Sequence, residues 1–155
     1  MRKSTKTGLT AGTVAILLGL QNLLTGLHAS RPSCQLDVHY PHVSSSIKGS
    51  PIKDALKINA TTSCTREQIN SKLTMSFFRI VGSESIRVAY FPEIVEPADI
   101  SDRTKAYFKR FFKKCHTFDK AKYYAFAKGE VTLTNGKKLK VWGKSTEYPY
   151  LDCFI

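Results

Sequence analysis

The stretch GEVTLTNGKKLKVWG, residues 129–143, carries the clearest structural signal in the chain. Val131 and Leu133 alternate with polar residues, and Leu139 and Val141 do the same after Asn135-Gly136. Asn-Gly is the pair favoured at the centre of a two-residue type I′ turn, which joins two antiparallel strands. We therefore predict a β-hairpin here, with its first arm extended upstream by KYYAFA, residues 122–127.

The same two-residue period dominates the rest of the chain after residue 30. It occurs in QLDVHY (35–40) and in LKINATTSC (56–64), where the apolar side chains share one face. SKLTMSFFRIV (71–81) and SIRVAYF (85–91) flank a Gly-Ser-Glu turn, which predicts a second hairpin, closed by Pro92 and Pro97. These segments predict a mainly β fold, a small β-sandwich of about six or seven short strands.

Residues 101–115 depart from this period. Their aromatic residues and Cys115 recur at spacings of three and four, and Lys or Arg fills most positions between them. Ser101 and Asp102 are both suitable helix N-caps. The spacing predicts one inserted amphipathic helix over about 101–115, with Phe111 and Phe112 buried against the sandwich and the cations in solvent.

The first 29 residues have the pattern of a signal peptide. Arg2, Lys3 and Lys6 precede an uncharged, mostly apolar run, and Leu27-His28-Ala29 approximates a cleavage site. The run is short for a membrane span, which needs about 20 residues. Leu27 is larger than the small residue preferred at a cleavage site, which leaves an uncleaved anchor as the alternative. We expect a secreted protein of one domain, residues 30–155. Removing three of the 24 Lys/Arg leaves 21 against 12 Asp/Glu, a net charge of +9.

Four cysteines, Cys34, Cys64, Cys115 and Cys153, follow the leader. An even number of cysteines in an exported chain indicates two disulfides, whereas a zinc site would need close pairs that are absent here. Three pairings are possible. If the segments after Cys34 and before Cys64 are antiparallel neighbours, the start of one strand lies beside the end of the next, which brings Cys34 to Cys64. The same reasoning for the last hairpin brings Cys115 to Cys153.

A resemblance supports this fold. The run CQLDVHYPHVSSSIKGSPIKDALKINATTSC (34–64) resembles the start of small exported proteins from Gram-positive actinobacteria, in which a Pro-x-x-Ser loop separates two cysteine-bearing strands. YYAFAKGEVTL (123–133) and Cys153 are similar to the same pattern, whereas residues 92–120 have no counterpart in it. The resemblance implies export and an immunoglobulin-like β-sandwich, and it implies no catalytic residues.

No catalytic or cofactor motif occurs in the sequence. The histidines lie in no Ser/His/Asp or Cys/His context, and G-x-S-x-G, H-E-x-x-H and phosphate-binding glycine loops are absent. His39 and His42 in HYPH form at most a two-ligand fragment, so they are interpreted as polar loop residues. We therefore predict a protein that is not an enzyme and that needs no cofactor or metal.

Two basic segments are the candidate binding residues. One is the predicted helix and the other is the last hairpin, and together they contribute Lys105, Lys109, Arg110, Lys113, Lys114, Lys137, Lys138, Lys140 and Lys144. Their charge predicts an anionic partner: an extracellular polymer, a lipid surface or an acidic protein. Export argues against nucleic acid. The sequence favours a non-catalytic binding module at the cell envelope or on a host, with a toxin acting on membranes through the cationic helix as the alternative.

Overall fold

The computed structural model describes residues 31–45 and 54–155, of which residues 32–155 form one compact unit. The predicted signal peptide, residues 1–29, and residues 46–53 lie outside the described residues. The described part contains nine β-strands and no helix, so no helix there is long and apolar enough to cross a membrane. The strands are β1 (Cys34–Val38), β2 (His42–Ser44), β3 (Ala55–Cys64), β4 (Gln68–Val81), β5 (Glu84–Pro97), β6 (Lys105–Lys114), β7 (Thr117–Leu133), β8 (Lys138–Lys144) and β9 (Tyr150–Phe154).

These strands form two antiparallel sheets, which fit a β-sandwich. In sheet A, β3 is central, with β1 and β2 pairing along one edge and β6 along the other. In sheet B the order is β5-β4-β7-β8, and β9 pairs with the first part of β7 on the same edge as β8. The predicted class, mainly β, is confirmed. Strand β6 of sheet A and strand β5 of sheet B lie at edges of their sheets.

The core lies between the two sheets and follows the two-residue period of the sequence. Sheet A contributes Leu56, Ile58 and Phe108, and sheet B contributes Phe77 and Tyr123, all of them fully buried. Burial of apolar area of this kind is the main favourable term in folding. Because alternate residues point inward, the even-numbered residues of β7, of β8 and of β4 from Lys72 onward face outward.

Two disulfides join Cys34 to Cys64 and Cys115 to Cys153, so the favoured pairing is confirmed. Cys34 and Cys64 are register partners on β1 and β3 and link two strands within sheet A. Cys115 directly follows β6 of sheet A, whereas Cys153 lies on β9 of sheet B, so this bond joins the two sheets. Two intramolecular disulfides are typical of extracellular proteins.

The helix predicted for residues 101–115 is wrong, because Lys105–Lys114 form strand β6. Ala60 of β3 pairs with Phe108 and Ile58 pairs with Phe111, so Lys109 and Arg110 both stand opposite one residue. Such a β-bulge adds one residue to the strand and changes the spacing of its buried side chains from two to three. The spacing of three between Phe108 and Phe111 therefore imitates one turn of a helix.

The hairpin predicted from residues 129–143 is confirmed, but its turn differs from the predicted type. Residues 134–136 form a three-residue loop in which Gly136 N–H donates to Leu133 C=O at 2.9 Å and Leu133 N–H donates to Lys137 C=O at 2.9 Å. Gly136 has a φ of +79°, whereas Asn135 has no positive φ. This is a type I turn followed by a left-handed glycine, which produces a glycine bulge rather than a type I′ turn.

The second predicted hairpin is also confirmed, with β4 and β5 joined by Gly82-Ser83 and Val81 paired with Glu84. The hairpin was predicted to close at Pro92 and Pro97; β5 runs through Pro92 and ends at Pro97. The register between β4 and β5 shifts between Leu73 and Met75, opposite Ile94 and Phe91, so Pro92 lies in an irregular part of an edge strand. Proline is tolerated there because its missing N–H leaves no partner in the sheet unpaired.

The connection between β5 and β6 contains a carboxylate with a lowered pKa. The Thr104 hydroxyl and the Lys105 ammonium, together with the Thr104 N–H, bond to Asp102 and lower its pKa to about 2. Since the folded-state pKa lies below the unfolded value of about 3.9, this contribution to stability is present above pH 4 and is lost as the pH falls through 2.

We expect Asp102→Asn to flatten the loss of stability between about pH 4 and pH 2, because the variant has no carboxylate to protonate at this position. Urea unfolding at a series of pH values measures the effect. Asp152→Asn, at an exposed β9 carboxyl with no ion pair in the described part of the chain, is the control. An equal change of slope in both variants would contradict this role of Asp102.

Candidate functional site

The five cations predicted on a helix lie instead along strand β6, and three of them have specific partners. Lys105 Nζ pairs with Asp102 at 2.9 Å, and the Lys109 ammonium lies 5.7 Å from the ring centroid of Tyr107. Arg110 projects from the bulge, and its Nη2 and Nε lie 2.7 Å and 2.9 Å from Glu96 Oε1 on β5. Arg110 therefore connects the edge strands of the two sheets and is not free to bind a partner.

Lys113 and Lys114 are the remaining cations of this segment. Both are exposed at the end of β6, and neither forms an ion pair within residues 31–45 and 54–155. Phe112, predicted to be buried, is only half-buried, whereas Phe111 is fully buried. The membrane-toxin alternative depended on an amphipathic helix here. Because these residues form strand β6, in which Phe108 and Phe111 are buried, that alternative lacks its helix.

The four cations of the last hairpin lie on sheet B and beside its turn. Lys138 Nζ pairs with Glu130 at 3.1 Å. The Lys144 ammonium lies 4.2 Å from the ring centroid of Tyr124 and 5.1 Å from that of Tyr148. Lys137 directly follows the turn, and Lys140 points outward from β8 without an ion pair in the described region. The two predicted basic groups thus lie on different sheets and do not form one site.

The outward-facing side of sheet B combines aromatic and charged side chains in cross-strand rows. One row runs from Thr74 on β4 through Lys128 on β7 to Trp142 on β8. A neighbouring row contains Lys72, Glu130 and Lys140, and a third contains Tyr90, Ser76, Phe126 and Lys144. Phe78 and Tyr124 stack at 4.9 Å with planes 7° apart in the next row. We call this surface the outer face of sheet B.

A groove of about 530 Å³ crosses this face. This volume is within the range of about 300–1,000 Å³ that is usual for ligand sites. The groove reaches from the edge strand β5 to β8, and Trp142 at its β8 end is 73% exposed. Its lining comprises Lys72, Thr74, Glu93, Phe126, Lys128, Gly129, Glu130, Lys140, Val141 and Trp142.

Two of the lysines in the groove have no carboxylate partner. Lys72 Nζ lies 3.4 Å from Glu93, and Glu130 is paired with Lys138, so these charges are compensated. Lys128 and Lys140 form no ion pair in the described part of the molecule. Both stand beside Trp142, because Lys128 is its register partner and Lys140 precedes it by two positions on the same face. The groove therefore offers two uncompensated positive charges and an exposed indole.

Of the residues that line the groove, Lys140 was predicted as a binding residue, whereas Lys72, Lys128, Phe126, Glu93 and Trp142 were missed. Phe126 and Lys128 could have been found from YYAFAKGE, residues 123–130. There they alternate, together with Tyr124, with the buried positions. Aromatic side chains on both faces of one strand indicate that its outer face is a candidate binding surface. Lys72 and Glu93 carried no such signal, since they meet through strand pairing.

No metal site was predicted, and the described residues contain no group of three or more His, Cys, Asp or Glu placed to hold a metal ion. His39 Nε2 lies 3.4 Å from Thr61 Oγ1 and 3.6 Å from Asp37 Oδ2, consistent with a polar residue on the surface of sheet A. No protein-family model matches the chain, and no curated protein shows significant similarity to it. The candidate site consequently depends on the geometry alone.

Proposed function

We propose that this chain is a secreted, non-catalytic binding protein that holds an anionic extracellular partner in the groove on the outer face of sheet B. The observation that carries this proposal is the placement of Lys128 and Lys140, both without carboxylate partners in the described residues, next to the exposed Trp142, the first across the strand pair and the second two positions earlier on β8. Charge-assisted hydrogen bonds from such lysines to an anion are stronger than neutral ones.

The fold and the overall charge support the proposal. Two antiparallel sheets around one core, one disulfide within a sheet and one between the sheets suit an immunoglobulin-like sandwich of the extracellular kind. The chain after the leader carries 21 Lys/Arg against 12 Asp/Glu, so anions are attracted to it from a distance. The fold presents the centre of the groove on a rigid surface, because β4 and β7 beneath it are paired on both sides.

Neutralising the groove lysines tests this function. We expect Lys128→Gln/Lys140→Gln to weaken binding to an anionic probe by about tenfold or more, since two charge-assisted contacts are lost. The probes are polygalacturonate, polyglutamate and phosphatidylglycerol vesicles, each measured by titration at low and high salt. Binding should fade as the screening length falls from about 10 Å at 0.1 M salt to about 3 Å at 1 M.

Lys113→Gln/Lys114→Gln is the matched control. It removes the same two charges from an exposed place on β6, outside the groove, and is expected to change binding by less than about threefold because only the long-range field is altered. Both variants should keep the stability of the parent within about 0.5 kcal/mol, as surface substitutions usually do. Equal losses in the two variants, or a parent that binds none of the three probes, would refute a site in this groove.

A further inference from the structure

We propose that the groove on the outer face of sheet B binds an acidic polysaccharide, whose sugar rings stack on Trp142 and whose acidic groups pair with Lys128 and Lys140. This inference rests on the proposed function and names the chemical class of its partner. It is carried by three features of the groove: an exposed aromatic surface, charges of both signs, and open ends.

The first feature is the indole of Trp142. It is 73% exposed on β8, so most of a ring that buries 150–250 Å² when it is enclosed is open to a partner. Phe126 also lines the groove, from the neighbouring strand β7. A flat ring on a rigid sheet matches the apolar C–H face of a pyranose. The Trp142 ring therefore supplies a stacking platform that a simple ion would not use.

The second feature is the mixture of charges around that platform. Glu93 and Glu130 lie in the groove beside Lys72, Lys128 and Lys140. Carboxylates accept hydrogen bonds from hydroxyl groups, and ammonium groups donate to hydroxyl and acidic oxygens. A polyhydroxylated chain with spaced acidic groups satisfies both kinds of side chain.

The third feature is that the groove continues at both ends. A depression of about 280 Å³ that includes Arg87 and Tyr90 shares Thr74, Phe126 and Lys128 with it. At the other end, a depression of about 340 Å³ beside Cys34 and Leu36 of β1 shares Lys140, Val141 and Trp142. The three together form a track that crosses β5, β4, β7 and β8 and continues to β1. The part over the four strands of sheet B is about 14 Å long, at about 4.8 Å per strand spacing. An open track suits a polymer better than a small molecule.

These features also favour a polysaccharide over the other anionic partners. A bilayer surface is broad and would contact the exposed rim, whereas the unpaired lysines lie beside a concave channel. An acidic peptide would pair with the lysines, but its Asp and Glu side chains have no ring that could stack on Trp142. The indole of Trp142 thus distinguishes a polysaccharide from a bilayer or an acidic peptide. Its removal is expected to weaken binding of the polysaccharide alone.

The test uses the intrinsic fluorescence of the chain, because Trp142 is its one tryptophan. Polygalacturonate added to the protein is expected to change the Trp142 emission in a saturable manner, while neutral dextran leaves it unchanged. Trp142→Ala, followed by titration calorimetry, is expected to weaken polygalacturonate binding about tenfold and to leave polyglutamate and phosphatidylglycerol binding within about twofold. Trp142→Phe should recover part of the loss, since it keeps a ring.

Tyr150→Ala is the matched control, because Tyr150 is 72% exposed on β9 and does not line the groove. It should leave polygalacturonate binding unchanged. If Trp142→Ala binds polygalacturonate as the parent does while Lys128→Gln/Lys140→Gln does not, the anion site holds and the polysaccharide is the wrong occupant. Stronger parent binding to polyglutamate or to vesicles than to polygalacturonate overturns the inference in the same way. If the lysine pair has no effect on any probe, the proposed function itself fails.

Discussion

Replacement of Phe111 by alanine is expected to lower the free energy of unfolding by about 3–5 kcal/mol, the usual cost of removing a fully buried phenylalanine ring. Phe111 is 0% exposed on β6. Its ring lies 6.0 Å from Phe108 in the same strand and 5.6 Å from Phe91 of sheet B, in an edge-to-face arrangement. Phe91 in turn lies 4.7 Å from Phe77. Phe111 is therefore part of an aromatic contact between the two sheets, and its loss leaves a cavity there.

Phe112→Ala is the control for this experiment, since it removes the same ring from the next position of the same strand. Phe112 is half-buried and is the register partner of Lys57 on the outer side of sheet A. We expect a loss clearly smaller than that of Phe111→Ala, because less apolar area is taken from water. Urea unfolding of both variants measures the difference. Equal losses would mean that the bulge at Lys109 and Arg110 does not set which side chain points inward.

Replacement of both Cys115 and Cys153 by alanine is expected to cost about 4 kcal/mol. The bond closes a segment with a sequence separation of 38, and its removal returns the loop-closure entropy to the unfolded chain. Cys153 is 0% and Cys115 is 8% exposed, so the change also removes buried sulfur atoms from the core. The bond is moreover the covalent link between the β6 end of sheet A and β9 of sheet B.

Cys34→Ala/Cys64→Ala is the matched variant. Its separation of 30 gives nearly the same loop entropy, about 3.6 kcal/mol. Its cysteines are only partly buried and lie in paired strands of one sheet, where hydrogen bonds keep the strands together. We therefore expect the Cys115/Cys153 variant to be the less stable of the two in denaturant titrations. The reverse order would show that the link between the sheets adds nothing beyond chain entropy.

The paired strands and disulfides were predictable because their signals are local or follow from antiparallel neighbours. Alternation in residues 56–64 and 71–81 identifies the inward faces, and Leu73, Met75 and Phe77 are all buried as expected. Cys34 and Cys64 meet because one begins and the other ends a pair of adjacent strands. The same reasoning misassigned residues 101–115, because a period of two interrupted by a single bulge is locally the same as part of a helical pattern.

The candidate site was predictable only in part. Lys138, Lys140 and Lys144 were identified from their density in the last hairpin, yet only Lys140 lies in the groove without an ion pair within the described residues. Arg110 was grouped with the binding cations, but it reaches Glu96, which is 14 positions earlier in the sequence and on the other sheet. A count of charges along the chain does not distinguish a cation that holds the fold together from one that is available to a partner.

The sequence by itself determined the class of this protein: strands with one apolar face, two hairpins marked by glycine turns, two disulfides and a strong positive charge. These follow from side-chain periodicity and turn chemistry, which act over a few residues. The tertiary structure alone decided that Lys109 and Arg110 form a bulge, that the two basic segments lie on different sheets, and that Lys72, Lys128 and Trp142 share one groove. The reason is physical: neighbours across a sheet are chosen by the pairing of strands distant in sequence, and the burial of one face fixes what the other presents.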